Sequence, residues 1–330
     1  MPDNVMSRTE TIRRRLGPNR VLMILLCLAL LSAIGFMTIG ARGNWGFIFE
    51  FRGTKLLALL LVAYAVSVST VLFQTVTNNR ILTPSIMGID ALYVLLQTVL
   101  IFVFGAQAIS ALDPQIKFLI EAGCLTVFAL ILYRFLFFGV FRDVHLLLLS
   151  GLFFGLLFRS VSGLLQRIID PNDFVVLQDS LFASFNSVDK SLLGVSVAVI
   201  VLVSAIGAKI FSRFDVMLLG RDSAISLGVN HTRTAVTILA LASVLVAVST
   251  ALVGPVTFFG LLVANLAYIV LPGAKHKHIL PGAILIAFIC LSSGQLVLEK
   301  LFDFNTALAI LIEFAGGLFF IGLILRRGVR

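Results

Sequence analysis

Residues 21–39 read VLMILLCLALLSAIGFMTI, a run without a single charged side chain. A hydrocarbon core about 30 Å thick is crossed by about 20 apolar residues in a helix, so this run is long enough for one span. Nine further runs follow. The predicted spans are 20–39, 56–76, 86–105, 116–139, 144–166, 191–211, 234–253, 257–272, 280–298 and 306–325. The sequence therefore predicts an all-α polytopic membrane protein of about ten transmembrane helices.

The composition of the whole chain agrees with this prediction. Apolar residues make up 59% of 330 residues, charged residues make up 12%, and the mean hydropathy is +1.09. A soluble domain carries about twice that share of charge, and this chain has too few polar residues to cover a water-facing surface. The net charge of +9 comes from short basic clusters between apolar runs. That pattern is typical of loops facing an anionic membrane leaflet and not of a nucleic-acid surface.

The distribution of charge predicts the orientation. With the N-terminus inside, 17 of the 25 Lys and Arg residues fall on inner segments, as the positive-inside rule requires. A cleaved signal peptide is the alternative for the first run, but the run is long and no Ala-x-Ala-like site follows it. We expect a retained first span and both termini in the cytoplasm.

Two connections are longer than turns. Residues 167–190 form an outer, acidic and aromatic segment in which we expect a short interfacial helix. Residues 212–233 form an inner segment that is too polar to span and is patterned for one or two short helices. We expect no appended soluble domain, so residues 1–330 form a single transmembrane domain with residues 1–19 as its cytoplasmic N-terminus.

Motifs for catalysis or metal binding are missing from the sequence. There is no GxxxxGK[ST] phosphate loop, no HExxH and no GxSxG, so we expect neither enzyme activity nor ATP hydrolysis by this chain. The only histidine pair, at 276–278, lies in a basic loop and predicts no metal site. The three cysteines lie singly in apolar runs and read as small hydrophobic residues; they are Cys27, Cys124 and Cys290.

Polar residues inside the predicted spans are functional candidates, because they are costly in hydrocarbon. We place Asp90 near the inner start of the third span and Glu313 deepest in the membrane. The full set is Gln74, Asp90, Gln97, Glu121, Arg159, Asn265, Gln295 and Glu313. Packing between helices is the alternative role for each of them.

Two stretches, 78–88 and 254–260, indicate irregular backbone between helices, each with a proline near the new N-terminus. Irregular backbone at membrane depth is tolerated only against protein or a water-filled cavity. Ordinary tight turns are the alternative.

Four stretches resemble motifs of one permease family. They are FRGTK at 51–55, QTVTNNRILTPSIMGI at 74–89, LGRDSAISLGV at 219–229 and GPVTFFGL at 254–261. In this order, between ten spans, they resemble the FecCD-type permeases, the transmembrane subunits of type II ATP-binding-cassette (ABC) importers for iron–siderophore complexes, haem and vitamin B12.

The resemblance implies a bacterial cytoplasmic-membrane permease and a set of partners. ATP and Mg would be held by separate ABC ATPase subunits, and this chain would bind no cofactor or metal. A second permease subunit, identical or different, would complete the pore. An extracytoplasmic binding protein would deliver the cargo, which we expect to be an iron–siderophore complex, with haem or vitamin B12 as the alternative. An ion-gradient-driven secondary transporter is the rival class, and inverted repeats with buried ion pairs would indicate it.

The resemblance also implies roles for individual residues. ATPase coupling would fall on Arg221, Asp222, Ser223, Ala224, Ile225, Leu227 and Gly228; the cytoplasmic gate on Asn78, Asn79 and Leu82; and docking of the binding protein on Arg52, Lys55 and Lys300. The alternatives are a solvated amphipathic loop for the first set and bases at helix ends for the last.

The chain departs from the family pattern in three places. They are 264–268, where Ala-Asn-Leu-Ala-Tyr replaces a Pro-His-x-x-Arg motif, 302–306, and Glu313 in a stretch that is usually small and apolar. No role can be transferred to these positions.

Overall fold

The computed structural model describes residues 17–40, 45–138, 144–186, 188–302 and 307–328, and all of its regular structure is helical. The α-helices are α1 (Pro18–Thr38), α2 (Trp45–Thr77), α3 (Ile89–Ser110), α4 (Pro114–Phe138), α5 (Val144–Gln166), α6 (Pro171–Ser180), α7 (Lys190–Lys209), α8 (Phe211–Met217), α9 (Arg221–Ser226), α10 (His231–Val253), α11 (Phe259–Val270), α12 (His276–Leu301) and α13 (Leu308–Gly328). A 3-10 turn, Pro84–Met87, precedes α3.

The apolar runs become helices in the predicted order. Within the described ranges, eight helices are long and apolar enough to cross a membrane, and α11 and the stretch Leu308–Leu318 of α13 are shorter apolar helices. The short helix expected in the outer segment is α6, and the one or two expected in the inner segment are α8 and α9. The predicted N-terminal residues 1–16 and the stretch 303–306 lie outside the described residues.

One boundary differs clearly from the prediction. The second span was expected from residue 56, but α2 begins at Trp45. Its first turns carry Glu50, Arg52 and Lys55, which lower the local hydropathy without preventing a helix. These charges are paired with residues of other elements, such as Glu299 of α12 and Lys190 of α7, so they are tolerated beyond the apolar part of the span.

Helices α2 and α10 form the centre of the bundle. Most of their side chains are buried, and α10 packs against both α2 and α4. Small residues along α2, such as Ala58, Ala63 and Ala65, allow close approach of neighbouring backbones. Helices α1 and α5 lie at the periphery, where α1 contacts α12 and α5 contacts α3, and both expose long apolar side chains.

Hydrogen bonds between helices satisfy polar groups within the bundle. Tyr133 of α4 lies 2.5 Å from Ser243 of α10 through their hydroxyl oxygens. Tyr64 of α2 and Ser204 of α7 make an equivalent contact of 2.6 Å. Buried hydroxyls in a membrane protein need such partners, and these pairs fix α4 and α7 against the central helices.

Candidate translocation and coupling sites

The connection between α2 and α3 contains the predicted gate residues. Asn78 adopts a left-handed conformation with φ 47°, which ends α2, and Asn78 and Asn79 are both exposed while Leu82 is half-buried. The Asn79 side chain accepts a hydrogen bond from the Ile81 backbone at 3.0 Å. The segment is therefore an ordered turn whose two asparagines face away from the protein core.

Two side-chain amides hold this turn in place. Gln74 Nε2 donates to the Arg80 carbonyl oxygen at 2.9 Å, and Asn265 Nδ2 of α11 donates to the same oxygen at 3.2 Å. The Arg80 guanidinium lies 4.5 Å from the centre of the Tyr268 ring, also on α11. Asn265 and Tyr268 both lie in the stretch 264–268 that departs from the family motif; the sequence marked Asn265 only as a polar residue within a span and did not single out Tyr268.

The end of the turn lies beside the middle of α5. A methyl group built on Gly88 would meet the backbone of Gly155 at 3.0 Å, and one built on Gly151 would meet the Met87 Cα at 2.6 Å. Gly88 also has φ 82°, which side chains other than glycine rarely adopt. Ten residues after Gly88, Thr98 accepts a hydrogen bond from Gln166, the last residue of α5, at 3.2 Å.

These contacts add detail to the predicted position of Asp90, which lies in the first turn of its helix as expected. Because Gly88 faces the middle of α5 and Thr98 faces its end, α3 begins halfway along α5 and not at its inner end. Asp90, in the first turn of α3, therefore lies beside the middle of α5. The hydropathy of the run 86–105 reports its length but not the depth at which the helix starts.

Asp90 joins the two irregular segments. Thr257, in the stretch 254–258 between α10 and α11, donates through Oγ1 to Asp90 Oδ2 at 2.9 Å. The Ser85 side chain also hydrogen-bonds Asp90, while Arg159 of α5 acts on it electrostatically. The Glu313 side chain of α13 accepts a hydrogen bond from the Thr257 backbone and interacts electrostatically with Asp90. Both predicted irregular segments thus meet at one buried carboxylate.

The inner segment folds into α8 and α9, and we refer to these two helices as the predicted coupling element. Gly228 has φ 80°, its N–H donates to the Ile225 carbonyl at 2.9 Å, and the Val229 N–H donates to the Ala224 carbonyl at 3.0 Å. These two bonds cap the C-terminal end of α9. Ala224 is fully buried, whereas Ile225 and Leu227 are 53% and 61% exposed.

The polar residues of the coupling set surround this apolar pair. Arg221, Asp222 and Ser223 form the first turn of α9, and all three are exposed. The following helix is capped by Asn230, whose side chain accepts from the Arg233 N–H at 3.1 Å. The element thus presents a mixed polar and apolar surface on an ordered helix, which suits a protein partner.

A chain of hydrogen bonds connects the predicted coupling element to α2. Asp215 of α8 accepts from the backbone N–H of His276 at 2.9 Å and lies 2.6 Å from its Nδ1. His276 Nε2 lies 2.8 Å from Thr75 Oγ1 in the last turns of α2. Partial burial raises the pKa of Asp215, but the hydrogen bonds and charge of His276 outweigh it, so this pKa lies below its usual value. Sequence reasoning saw His276 only as part of a basic loop.

The three predicted docking cations lie at the same end of the bundle but differ in accessibility. Arg52 Nη1 donates to the carbonyl of Ile39 at 3.0 Å, at the end of α1. Lys55 is only 4% exposed, and its Nζ lies 2.9 Å from Asn186 Oδ1 and 3.5 Å from Glu299 Oε1. The structure therefore does not present Lys55 at the surface, because Glu299 and Asn186 hold its ammonium inside.

Lys300 is exposed and packs over Gly40. Arg52 is half-buried and also lies 3.6 Å from Glu299. Docking through Arg52 and Lys300 stays a prediction.

Chemistry for metal binding is not evident in the described part of the chain. No group of three or more His, Cys, Asp or Glu residues lies together in the described ranges. The three cysteines are free thiols, and the histidine pair at 276–278 is divided, since His276 contacts Asp215 while His278 lies 3.0 Å from the side chain of Asn19.

Comparison with known proteins gives consistent relatives. The profile of the FecCD transport family matches residues 16–326. The chain is 42% identical to the petrobactin import system permease protein YclO of Bacillus subtilis over 93% of this chain and 98% of that protein. It is 32% identical to the petrobactin import system permease protein FatC of Bacillus anthracis over 93% of this chain and 88% of that protein.

The fold has a counterpart among solved structures. An inward-facing metal-chelate-type ABC transporter matches with a TM-score of 0.82 at 23% identity, over 94% of this chain and 99% of that one. The relatives are named as permease components of import systems and not as ATPases, which confirms the expectation of a chain that is not itself catalytic and carries no cofactor. The chain belongs to the FecCD transport family and is a multi-pass membrane permease of a bacterial ABC import system.

Proposed function

We propose that this permease passes an iron–siderophore complex into the cell, with ferric petrobactin as the first cargo to test. The observation that carries the proposal is the pair of relatives at 42% and 32% identity over nearly the whole chain, both named as petrobactin import permeases. A permease named for hemin, HmuU of Yersinia pestis, is 26% identical, so haem is the second candidate cargo.

The proposed energy source is ATP hydrolysis on separate ATPase subunits. The exposed Ile225 and Leu227 on α9 suit a partner groove, because an exposed apolar pair on a capped helix gains free energy when a partner covers it. The chain from Asp215 through His276 to Thr75 would carry displacement of the coupling element to the end of α2, directly before Asn78 and Asn79. This arrangement supports an ATPase-driven gate at residues 78–82.

The proposed assembly contains two permease subunits and one binding protein. In the described part of the chain the centre of the bundle is filled by α2 and α10, which leaves no room there for a cargo of siderophore size, so the path would lie between two subunits. Residues 1–330 would form one transmembrane domain in each of them. Arg52 and Lys300 would contribute to docking of the binding protein, and rim charges of this kind mainly set orientation and association rate.

Reconstitution tests the proposal. Proteoliposomes holding the permease, its ATPase and ATP inside, with binding protein outside, should accumulate radioactive iron from ferric petrobactin. The matched control carries an ATPase that binds but does not hydrolyse ATP, and it should accumulate none. Uptake of haem but not of ferric petrobactin would identify haem as the cargo. Uptake driven by an ion gradient without ATP would refute the ATP-driven importer mechanism.

A further inference from the structure

Arg159 is an exposed arginine deep within a predicted span. It lies on α5 (Val144–Gln166), about 10 Å from the outer end and about 22 Å from the inner end at 1.5 Å per residue. Its neighbours on the same face, Leu152 and Leu156, are 53% and 69% exposed apolar side chains. A permanent positive charge is thus placed on an open, otherwise apolar face.

Lipid is an unsuitable environment for this side chain. A guanidinium in hydrocarbon is costly unless it faces a water-filled cavity, a partner or the membrane surface. Reaching the outer surface is disfavoured here, because side chains on a helix lean toward its N-terminus, which for α5 is the predicted inner end. The electrostatic effect of Arg159 on Asp90 agrees with this inward lean, since Asp90 lies beside the middle of α5.

Asp90 does not neutralise Arg159 by direct pairing. The hydrogen bonds of the Asp90 carboxylate come from the side chains of Thr257 and Ser85. Among the described residues no ion pair within 4 Å is formed by Arg159. The buried Asp90 carboxylate therefore attracts Arg159 toward the contact between α3 and α5. The guanidinium N–H groups stay open to a ligand.

We propose that Arg159 lines the translocation path and binds anionic oxygen atoms of the cargo. The inference rests on the proposed function and adds a substrate class to it. Ferric complexes whose ligands supply more than three negative charges are anions, as with siderophores of the carboxylate and catecholate classes. The planar guanidinium presents paired donors that match such oxygens, and Asp90 positions it without binding cargo itself.

The first experiment measures uptake of ferric petrobactin by the complete complex in proteoliposomes. Arg159→Gln should reduce uptake about tenfold, as expected for the loss of one charge-assisted hydrogen bond, whereas Arg159→Lys should retain most of it. Arg167→Gln is the matched control, because it removes an exposed arginine just beyond the end of α5 and should change uptake little. Uptake by Arg159→Gln equal to that of the unaltered complex would overturn the proposal.

A double variant separates a path role from a structural pair with Asp90. If Arg159 only balanced the charge of Asp90, then Asp90→Asn combined with Arg159→Gln would remove both charges and restore uptake. Our proposal expects uptake of this double variant to stay as low as that of Arg159→Gln. Recovery to the unaltered level would overturn the path role.

A second experiment requires no cargo. Leu156→Cys, in a chain whose three native cysteines are replaced by serine, places a thiol one turn from Arg159 on the same face. We would measure the rate at which a negatively charged methanethiosulfonate reagent modifies this thiol and divide it by the rate for a positively charged reagent. This ratio should be higher with Arg159 present than in the Arg159→Gln background. We expect this ratio to fall about tenfold, since a charged cleft concentrates counter-ions by that order.

The second experiment distinguishes failure of this inference from failure of the proposed function. If neither reagent reacts, the Arg159 face of α5 lies in lipid. If the ratio of the two rates does not change, Arg159 does not attract anions there. Each outcome overturns the proposal. If the unaltered complex takes up no ferric petrobactin but the ratio falls as expected, the named cargo is wrong while the anion-attracting path is supported.

Discussion

The contact between the 3-10 turn and α5 makes a quantitative prediction about Gly151. A methyl group at this position would lie 2.6 Å from the Met87 Cα and 3.3 Å from its carbonyl carbon, where carbon atoms prefer about 3.5–4.0 Å. The turn and the helix would have to separate by about 1 Å. Because the obstacle is backbone, we take the upper part of the usual overpacking range, about 2–3 kcal/mol.

The helix propensity of alanine offsets part of this loss. Alanine is favoured over glycine within a helix by about 1 kcal/mol, so Gly151→Ala should lower the free energy of unfolding by about 1–2 kcal/mol. Gly163 lies on the same helix with no atom within 4 Å of the added methyl, so Gly163→Ala should show the propensity gain alone. We therefore expect the two variants to differ by about 2–3 kcal/mol.

The measurement is unfolding of purified permease in mixed micelles, titrated with denaturing detergent and followed by circular dichroism. Gly155→Ala is a second comparison, because its added methyl would meet the Gly88 Cα at an ordinary 3.5 Å. It should unfold close to Gly163→Ala. If Gly151→Ala unfolds at the same midpoint as Gly163→Ala, the close backbone contact does not exist and the half-depth start of α3 loses its main support.

Three further predictions follow from the hydrogen bonds and the coupling surface. Thr257→Val removes a donor to the buried Asp90 and should cost about 1–3 kcal/mol of stability; an unchanged thermal midpoint would contradict the link. Leu227→Asp should abolish co-purification of the ATPase subunit while leaving the permease melting temperature unchanged, and normal recovery of the ATPase would exclude this contact. Hydrogen bonds and charge from His276 lower the pKa of Asp215 below 3.8 despite partial burial, so its stabilisation is present above about pH 4 and lost as pH falls further. Asp215→Asn should therefore flatten the stability curve below about pH 4, and an acid limb identical to that of the unaltered protein would contradict this.

The spans were predictable because hydrophobic run length and helix length have the same physical cause. A bilayer requires about 20 apolar residues per crossing, and runs such as 21–39 leave no alternative partner for their side chains. The short helices of the inner segment were predictable because residues 212–233 are too polar to span, and Gly228 supplies the left-handed conformation that ends α9. Local chemistry was sufficient in both cases.

The depth of Asp90 and the contacts of His276 were not predictable from the sequence. A hydropathy window measures how long a run is and not where along a neighbouring helix it begins, so the half-depth start of α3 appears only in its contacts with Gly151 and Gly155. His276 meets Asp215 across 61 positions in the chain, and no periodicity links residues at that separation. Lys55 was misplaced for the same reason, since Glu299 lies 244 positions away.

The anchoring of the turn at residues 78–82, where we predict the gate, has a consequence for how its sequence can vary. Gln74 and Asn265 both recognise the carbonyl oxygen of residue 80 and not its side chain, and every amino acid supplies that oxygen. Position 80 is therefore free to change in related permeases without loosening the turn, at the cost only of the stacking on Tyr268. The two amides are not free in this way, because replacing either removes a donor that residue 80 cannot replace. In related permeases we therefore expect residues 74 and 265, which supply the donors on α2 and α11, to be kept or replaced together.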